Sequence, residues 1–445
     1  MIFLPDVVKL QYLFRYKESI PAGNPENEVA MELINELLLQ ALRASLEKKT
    51  VDWEEALTPA QWHELFRAAT AHRVLPMVYE AVVRSPAGRK ADRQLFMAVK
   101  KQVMQLVMLQ TVKTNGFLQL LPQLQTAGVP YLVVKGIVCR ELYPNPDFRI
   151  SGDEDVLIPE NRFAQCHETL LSCGLELADP AQSLNVFEIP YRQQGSGLHI
   201  ELHKHLFSPE SEAYGDFNRF FEGVHDRTIA VTIQGVPVTT MNHTDHLFYL
   251  ICHSFKHFLH SGFGIRQVCD ICLYANAFGT QIDWQRIRSQ CEAIRGDRFA
   301  AALFRIGENY LTFQPEKACY PAQWSEMTID EIPMLEDLLE SGVFGGSSMI
   351  RKHSSNMTLH AVSSGNQGKQ AGSILKTLFP SAKNLSGRYP YLKEKPYLLP
   401  VAWADRFVNY RRETASGGSG NNAMESIRIG NKRIELLKQY GIITR

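Results

Sequence analysis

The chain has 445 residues, enough for two to four packed units with a substantial hydrophobic core. Its 47 basic residues balance its 47 acidic ones, so composition gives no support for wholesale attraction to nucleic acid or to a membrane surface. No apolar run approaches the ~20 residues that span a bilayer, and the first residues lack the basic and apolar regions of a signal peptide.

The eight cysteines are scattered along the chain, a distribution typical of reduced thiols in a cytoplasm. Cys269 and Cys272 have the CxxC spacing, but they lie in an apolar helical segment without a second such pair. We therefore expect them to pack in the core, with redox or zinc chemistry as the alternative. A cytoplasmic protein without a membrane partner is expected.

Residues 1–126 are predicted to form an N-terminal helical region. Apolar residues recur there at three- and four-residue spacing. Thr58 followed by Pro59 is a typical helix start, with Thr58 as the cap and Pro59 in the first turn. A third helix is predicted over 91–126. These helices are amphipathic, and no chemistry is evident in them.

The pattern changes at residue 127, where a core of strands and helices is predicted to extend to residue 240. Short apolar or alternating runs bounded by turn residues predict strands, namely 130–134, 153–158, 184–190, 198–206 and a hairpin over 228–240 with Gly235 in its turn. Helices are predicted from Gly136 to about Tyr143 and over 159–173. This order indicates an α+β fold, in which helices pack on a small mixed β-sheet.

The rest of the chain is predicted to be mainly helical. Residues 241–320 contain one strongly periodic helix, 242–260, and a second that begins near Ile265. Residues 321–445 are predicted to form a C-terminal helical extension with loops. Within it lie a polar segment over 344–369, a Gly- and Ser-rich linker near 413–423 and a last helix over 424–440.

Three consecutive acids, Asp153, Glu154 and Asp155, stand at the start of a predicted strand. Because side chains alternate along a strand, Asp153 and Asp155 share one face and Glu154 points to the other. Two carboxylates on one face repel each other unless a cation joins them, and Mg²⁺ is a natural partner for paired oxygens. A solvated strand end is the alternative. Glu154 is expected to tolerate replacement.

Lys135 and Gly136 end the first predicted strand and open a helix. Backbone N–H groups at such a helix start can bind a phosphate, and Lys135 would add positive charge. A tight turn with a surface lysine is the alternative. Arg149, shortly before the acids, can pair with a phosphate or with a carboxylate.

A third carboxylate, Glu201, lies on a later predicted strand, on the same face as His199, His203 and His205. If that strand pairs with the one that bears the acids, Glu201 joins Asp153 and Asp155. Three acids can hold two Mg²⁺ ions roughly 3.5–4 Å apart. A polar outer face is the alternative interpretation of the histidines.

The predicted helix 242–260 carries His246, His253, His257 and His260 on one face. His253 and His257 have the spacing of zinc ligands, but the HExxH pattern is absent. We interpret this helix as closing over a nucleotide, with Lys256 or His257 near the phosphates or the base. A packed interdomain face is the alternative.

The motifs together resemble the nucleotidyltransferases of the DNA polymerase β superfamily, and more closely an uncharacterised nucleotidyltransferase family. The residues that carry the resemblance are Lys135-Gly136, Tyr143-Pro144, Arg149, the run Asp153–Ile158, Glu201-Leu202-His203, Lys256-His257, and Arg266 with Asp270. It extends to a segment near residues 71–82 and to another near 398–407. Arg266 and Asp270, four residues apart on a helix, have a surface ion pair as their alternative interpretation.

The resemblance implies a Mg²⁺-dependent enzyme that transfers a nucleoside monophosphate from an NTP, ATP by default, to a hydroxyl group and releases pyrophosphate. It assigns catalysis and metal binding to Asp153, Asp155 and Glu201, with two Mg²⁺ ions and Mn²⁺ as a possible substitute. The residues implied in nucleotide binding are Lys135, Gly136, Arg149, Lys256, His257, Arg266 and Asp270.

The acceptor stays open among a protein side chain, a sugar, a small metabolite and an RNA end. Two other hypotheses remain: a nucleotide-binding or regulatory protein that keeps the fold without turnover, and a metallohydrolase built on the histidines. A polymerase is disfavoured, because the neutral chain has no evident basic track to hold a nucleic acid.

Overall fold

The computed structural model describes residues 25–260, 262–341, 355, 357–359, 361–363, 385, 389, 391–405 and 422–443. The first 24 residues, most of the predicted polar segment and nearly all of the predicted linker lie outside the described residues.

The described part of the N-terminal region contains five helices, two more than the sequence predicted: α1 (Pro25–Leu46), α2 (Pro59–Ala71), α3 (Leu75–Val83), α4 (Pro86–Lys90) and α5 (Arg93–Thr126). The predicted cap of α2 is present. The Thr58 hydroxyl accepts a hydrogen bond from the N–H of Gln61, and the Gln61 side chain accepts one from the N–H of Thr58. This reciprocal arrangement satisfies two N–H groups that a helix start leaves without partners.

A five-stranded mixed sheet lies at the centre of the chain. Its strands are β1 (Leu132–Val134), β2 (Glu154–Leu157), β3 (Leu175–Leu177), β4 (Glu188–Gln193) and β5 (His199–His203), in the spatial order β1-β2-β5-β4-β3. Strands β2 and β5 are parallel, and the other neighbours are antiparallel. Helix α6 (Gly136–Arg140) follows β1, and α7 (Phe163–Ser172) connects β2 to β3.

The predicted hairpin forms a separate two-stranded sheet, β6 (Thr228–Ile233) and β7 (Val236–Met241), with Gly235 in the turn at φ 83°. The predicted strand at 184–190 begins later, at Glu188, and β3 was not predicted. The three residues of β3 are too few to show an alternating pattern in the sequence. The strand is instead defined by its pairing with β4.

The helices that follow include α8 (His243–His260), α9 (Ile265–Phe278), α10 (Trp284–Ala293), α11 (Asp297–Tyr310), α12 (Ala322–Ser325), α13 (Ile332–Ser341), α14 (Tyr391–Glu394) and α15 (Asn422–Gln439). One hydrophobic core runs from α1 through the sheet to α15. Cys269 and Cys272 are buried in it as free thiols, as expected. The fold is α+β with a small mixed sheet, as predicted. Among the helices described, none is both long and apolar enough to cross a membrane.

Candidate active site

Strands β2 and β5 place Asp155 directly opposite Glu201. Neighbouring strands lie about 4.8 Å apart, so side chains opposite each other on one face come close. His203, two residues after Glu201 and therefore on the same face, completes the group: one ligand atom each from Asp155, Glu201 and His203 lie within 4.8 Å of one another. Nε2 of His203 is 3.2 Å from Oδ1 of Asp155 and 3.7 Å from Oε2 of Glu201.

Lys135, in the turn after β1, supplies a positive charge to this group. Its Nζ is 2.8 Å from Oδ2 of Asp155, and both side chains are largely buried. Although burial opposes the charge of Lys135, the carboxylates of Asp155, Asp153 and Glu201 raise its pKa. Burial disfavours the ionised form of Asp155 and would raise its pKa. Lys135 and His203 outweigh burial and hold the pKa of Asp155 below the ordinary range.

With both of its carboxylates ionised, the group would carry more negative charge than Lys135 neutralises. Burial raises the pKa of Glu201 to about 9, and the carboxylates of Asp155, Asp153 and Glu188 contribute to that rise. The second ring nitrogen of His203 faces Glu188 at 3.7 Å. A half-buried carboxylate with such neighbours is stabilised either by a proton or by a bound cation. The group is therefore suited to hold a divalent ion.

Asp153 lies just before β2, and its side chain forms no hydrogen bond or ion pair with any described residue. Its charge nevertheless acts on Lys135 and Glu201. Asp153 stands outside the group of three close ligand atoms, and its place on the side of β2 that faces Glu201 stays a prediction from strand alternation.

Glu154 points to the opposite side of β2, also as alternation predicted, but that side is the protein interior. Its carboxylate accepts hydrogen bonds from the N–H of Ile137 at 2.7 Å, from the Ser151 hydroxyl at 3.2 Å and from the guanidinium of Arg140. Glu154 and Arg140 are both buried. The expectation that Glu154 tolerates replacement is therefore corrected, because its loss leaves a buried arginine without its counter-charge.

The Glu154 carboxylate also explains why residue 136 is a glycine. A Cβ atom built at position 136 would lie 2.0 Å from Oε2 of Glu154. At this helix start the N–H of Ile137 binds Glu154 and the N–H of Lys135 binds Nε2 of His246 at 2.9 Å. Two of the groups predicted to bind a phosphate therefore already have partners inside the protein.

Arg149 and Asp270 are paired with each other. The guanidinium donates to both carboxylate oxygens at 2.7 Å, and the Tyr143 hydroxyl donates to Asp270 at 2.8 Å. Arg266 instead donates to the carbonyl of Ile150 at 2.8 Å. The suggested surface pair between Arg266 and Asp270 is therefore wrong. Arg149 and Asp270 connect the loop before β2 to α9 in the interior, away from solvent.

Helix α8 carries basic side chains on the side of the molecule where the carboxylates lie. Nε2 of His253 and Nε2 of His257 are 3.0 Å apart. Burial lowers the pKa of Lys256, while Glu188, Glu201 and Asp155 oppose that change, so Lys256 lies within reach of their charge. The histidine pair belongs to no group of three potential metal ligands within the described part of the chain.

His203 and His246 are the site residues that the sequence analysis did not assign. Each had a signal in the sequence: His203 alternates with Glu201 along β5, and His246 belongs to the row of histidines on α8. Their partners come from distant parts of the chain, which periodicity alone does not reveal.

Residues 58–312 match the model of a family described as uncharacterised nucleotidyltransferase. Because this match covers more than half of the chain, the protein belongs to that family, whose general activity is nucleotidyl transfer. A similar solved structure is an antigenic nucleotidyltransferase-like protein from Paracoccidioides brasiliensis, with 14% identity, a TM-score of 0.28, and coverage of 47% of this chain and 95% of that one. No curated protein matches the chain.

Proposed function

We propose that this protein is a divalent-metal-dependent nucleotidyltransferase that uses an NTP, ATP by default, and a hydroxyl acceptor. The observation that carries the proposal is the meeting of Asp155 and Glu201 on adjacent parallel strands, with Asp153 beside them. Family membership supports transfer of a nucleotidyl group in general. The acidic group supports the choice of a metal-assisted mechanism.

Asp155 and Glu201 would hold the ion, with Asp153 completing the set when a nucleotide is bound. Carboxylate oxygens suit Mg²⁺, and the nearby imidazole of His203 also suits Mn²⁺. Burial and the carboxylates around Glu201 raise its pKa, and a bound ion would replace the proton that relieves the repulsion between these carboxylates. The three close ligand atoms support one ion site, and a second Mg²⁺ would have to depend on Asp153. A bound divalent ion would supply positive charge that neutralises the reacting phosphate.

In the proposed reaction, the acceptor hydroxyl oxygen forms a bond to the α-phosphorus of the NTP. The bond from that phosphorus to the bridging oxygen of the β-phosphate breaks, and pyrophosphate leaves with the electron pair. The hydroxyl proton passes to a base, and Glu201 would serve as that base in the alternative in which it does not bind the ion. The remaining residues contribute mainly position and charge.

Lys256 and His257 are proposed to contact the nucleotide from α8, since Lys256 already lies near the carboxylates. Lys135 is proposed to move from Asp155 to a phosphate when ion and nucleotide bind, because an ion on Asp155 would replace its counter-charge. The roles first expected for Arg149 and Asp270 in nucleotide binding are not proposed further, since the two are buried against each other.

The proposal is tested by incubating the protein with α-labelled ATP, Mg²⁺ or Mn²⁺, and candidate acceptors of the four classes, while pyrophosphate release is measured. We expect Asp155→Ala to abolish both transfer and release. Asp52→Ala, which removes an exposed carboxylate far along the sequence from the site, is the matched control and should behave as the parent protein. Undiminished labelling by the Asp155→Ala variant would overturn the proposal.

A protein that binds nucleotide without turnover is the second candidate, and one observation favours it. Lys135 pairs with Asp155 at 2.8 Å, so an internal cation already neutralises the carboxylate that would bind the ion. Such a protein would bind Mg²⁺–ATP in calorimetry but release no pyrophosphate with any acceptor. Release that depends on Asp155 excludes this candidate.

A further inference from the structure

Arg73 lies between α2 and α3, in a region whose sequence suggested no chemistry. Its φ is 56°, unusual for a residue other than glycine. Its guanidinium lies against the main chain at Gly152, since a Cβ atom built there would be 2.9 Å from its Nη1. Within the described part of the chain, the Arg73 side chain has no hydrogen-bond acceptor and no ion-pair partner, although a guanidinium carries five N–H donors.

Lys113, on α5, approaches the same turn from another side. Its Nζ is 3.4 Å from the carbonyl oxygen of Ser151 and 3.5 Å from that of Gly152. These contacts are long, and no carboxylate among the described residues forms an ion pair with it. Burial lowers the pKa of Lys113, the carboxylates of Asp153 and Glu154 oppose that change, and the positive charges of Arg73 and Arg140 add to it. Arg73 and Lys113 both lie against Gly152, so the two cations are close to each other.

Cations held close together and partly shielded from water are unfavourable unless an anion joins them. A single anion with several oxygens would accept hydrogen bonds from both Arg73 and Lys113. The turn that they flank, Ser151-Gly152, immediately precedes Asp153. An anion bound there would therefore lie beside the carboxylates proposed to hold the metal ion.

The start of α6 is less suited to the same ligand. The N–H of Ile137 is bound to Glu154 and the N–H of Lys135 to His246. Arg73, in contrast, lies against Gly152 and has no hydrogen-bond partner among the described residues.

We propose that Arg73 and Lys113 form a polyphosphate-binding site that holds the terminal phosphates of the nucleoside triphosphate beside Asp153. This inference depends on the proposed function for the identity of the ligand, but not on turnover. It gives the N-terminal helical region a direct part in binding the substrate. It also moves the main phosphate contacts away from the turn at Lys135-Gly136.

The test measures binding of inorganic tripolyphosphate by calorimetry in a chelating buffer, without metal or acceptor. We expect Arg73→Gln and Lys113→Gln each to weaken binding about tenfold or more, as the loss of a charged hydrogen bond does. Lys100→Gln and Lys101→Gln, exposed on the same helix as Lys113, are matched controls and should leave the affinity unchanged. Arg73→Lys and Lys113→Arg should retain part of the binding.

Asp153→Asn sharpens the test, because without metal the Asp153 carboxylate repels the phosphates. This variant should bind tripolyphosphate more tightly than the parent protein. Unchanged affinity in both Arg73→Gln and Lys113→Gln, with their unfolding midpoints preserved, would overturn the inference. Equally tight binding of orthophosphate would overturn it as well, since the site would then recognise a single anion and not a chain.

The two proposals fail in different ways. If no variant or acceptor gives pyrophosphate release but tripolyphosphate binding depends on Arg73 and Lys113, the transfer reaction is wrong and the binding site stands. If transfer depends on Asp155 while Arg73→Gln and Lys113→Gln keep the parent KM for ATP, the binding site is wrong and the transfer reaction stands.

Discussion

The N–H of Lys135 donates a hydrogen bond to Nε2 of His246, 2.9 Å away. Since Nε2 accepts, the hydrogen of the neutral ring is on Nδ1, which lies 3.3 Å from the Thr240 hydroxyl. That hydroxyl donates to the carbonyl of Val133 at 2.6 Å. The chain of hydrogen bonds returns to β1 next to Lys135, whose φ of 61° is unusual for a side-chain-bearing residue. His246 therefore holds Lys135 in the conformation that directs its ammonium at Asp155.

Replacing His246 should affect both stability and the site. His246→Ala removes a fully buried ring and leaves the N–H of Lys135 without an acceptor. We expect the free energy of unfolding to fall by about 2–4 kcal/mol, measured by urea denaturation. Thr240→Val keeps the ring but removes the hydroxyl that bonds both His246 and the carbonyl of Val133, and it should cost about 1–2 kcal/mol. An equal loss in both variants would contradict a special role for the bond to Lys135.

Loss of the charge of Glu154 should lower the stability of the protein, whereas loss of the charge of its neighbour Asp153 should lower the transfer activity. Glu154→Gln breaks a buried pair with Arg140 and should cost about 3–5 kcal/mol of stability. Asp153→Asn should change stability by less than about 0.5 kcal/mol, because its side chain has no hydrogen-bond or ion-pair partner among the described residues, yet it should lose transfer activity. Urea denaturation and the labelling assay measure the two effects separately.

Arg149 and Asp270 should behave as a structural pair. Arg149→Met or Asp270→Leu alone leaves a buried charge without its partner and should cost about 3–5 kcal/mol. The double variant should cost clearly less than the sum of the two, since both charges are then absent. A double-mutant cycle from urea denaturation gives the coupling. Additive losses, or weaker ATP binding by a well-folded double variant, would instead point to contact with the nucleotide.

Metal binding should depend on the acids of both central strands. In Mn²⁺ titrations followed by electron paramagnetic resonance, Asp155→Asn and Glu201→Gln should lose the bound ion, whereas Glu168→Gln, on the exposed side of α7, should keep it. With a chelator present, Glu201→Gln should be at least as stable as the parent protein, because one of several repelling carboxylates is gone. Retention of Mn²⁺ by Asp155→Asn would place the ion elsewhere.

His72 should make the protein less stable in mild acid. It is buried between Leu339 and Ile265: Nε2–H donates to the carbonyl of Leu339, and Nδ1 accepts from the N–H of Ile265. Burial lowers its pKa to about 4, against roughly 6.5 in the unfolded chain. Between these values the unfolded state binds more protons, so stability falls as the pH falls, by up to about 1.4 kcal/mol per pH unit from this residue.

His72→Gln removes that contribution. Its free energy of unfolding, lower than that of the parent at neutral pH, should therefore fall less steeply between pH 6.5 and pH 4.5. Parallel slopes for the two proteins in denaturation experiments would show that His72 is protonated in the folded state as readily as in the unfolded one.

The features that could be predicted from sequence are those with local causes. Thr58 marked the start of α2, alternation gave the correct sides of β2 for Glu154 and Asp155, and the apolar runs located most strands. The pairing of β2 with β5, on which the acidic group depends, was stated as a condition, and the sheet satisfies it.

Features with distant causes could not be predicted. Glu154 looks exposed in a run of three acids, and only the fold shows that Arg140 and the start of α6 lie behind it. Arg149 and Asp270 are each polar residues in motifs typical of a nucleotide site, and their mutual pairing bridges 121 positions. Local patterns indicate which face a side chain occupies, but not what the rest of the chain places against that face.

The position of β5 between β2 and β4 has a consequence for the order of folding. A chain that has formed only β1 and β2 has Asp155 but not Glu201, so the repelling carboxylates meet only when the last strand of the sheet enters its centre. Contacts between distant segments form slowly, because they require closure of a long loop. Divalent ions should therefore leave the early steps of refolding unchanged and act on the step in which β5 joins the sheet.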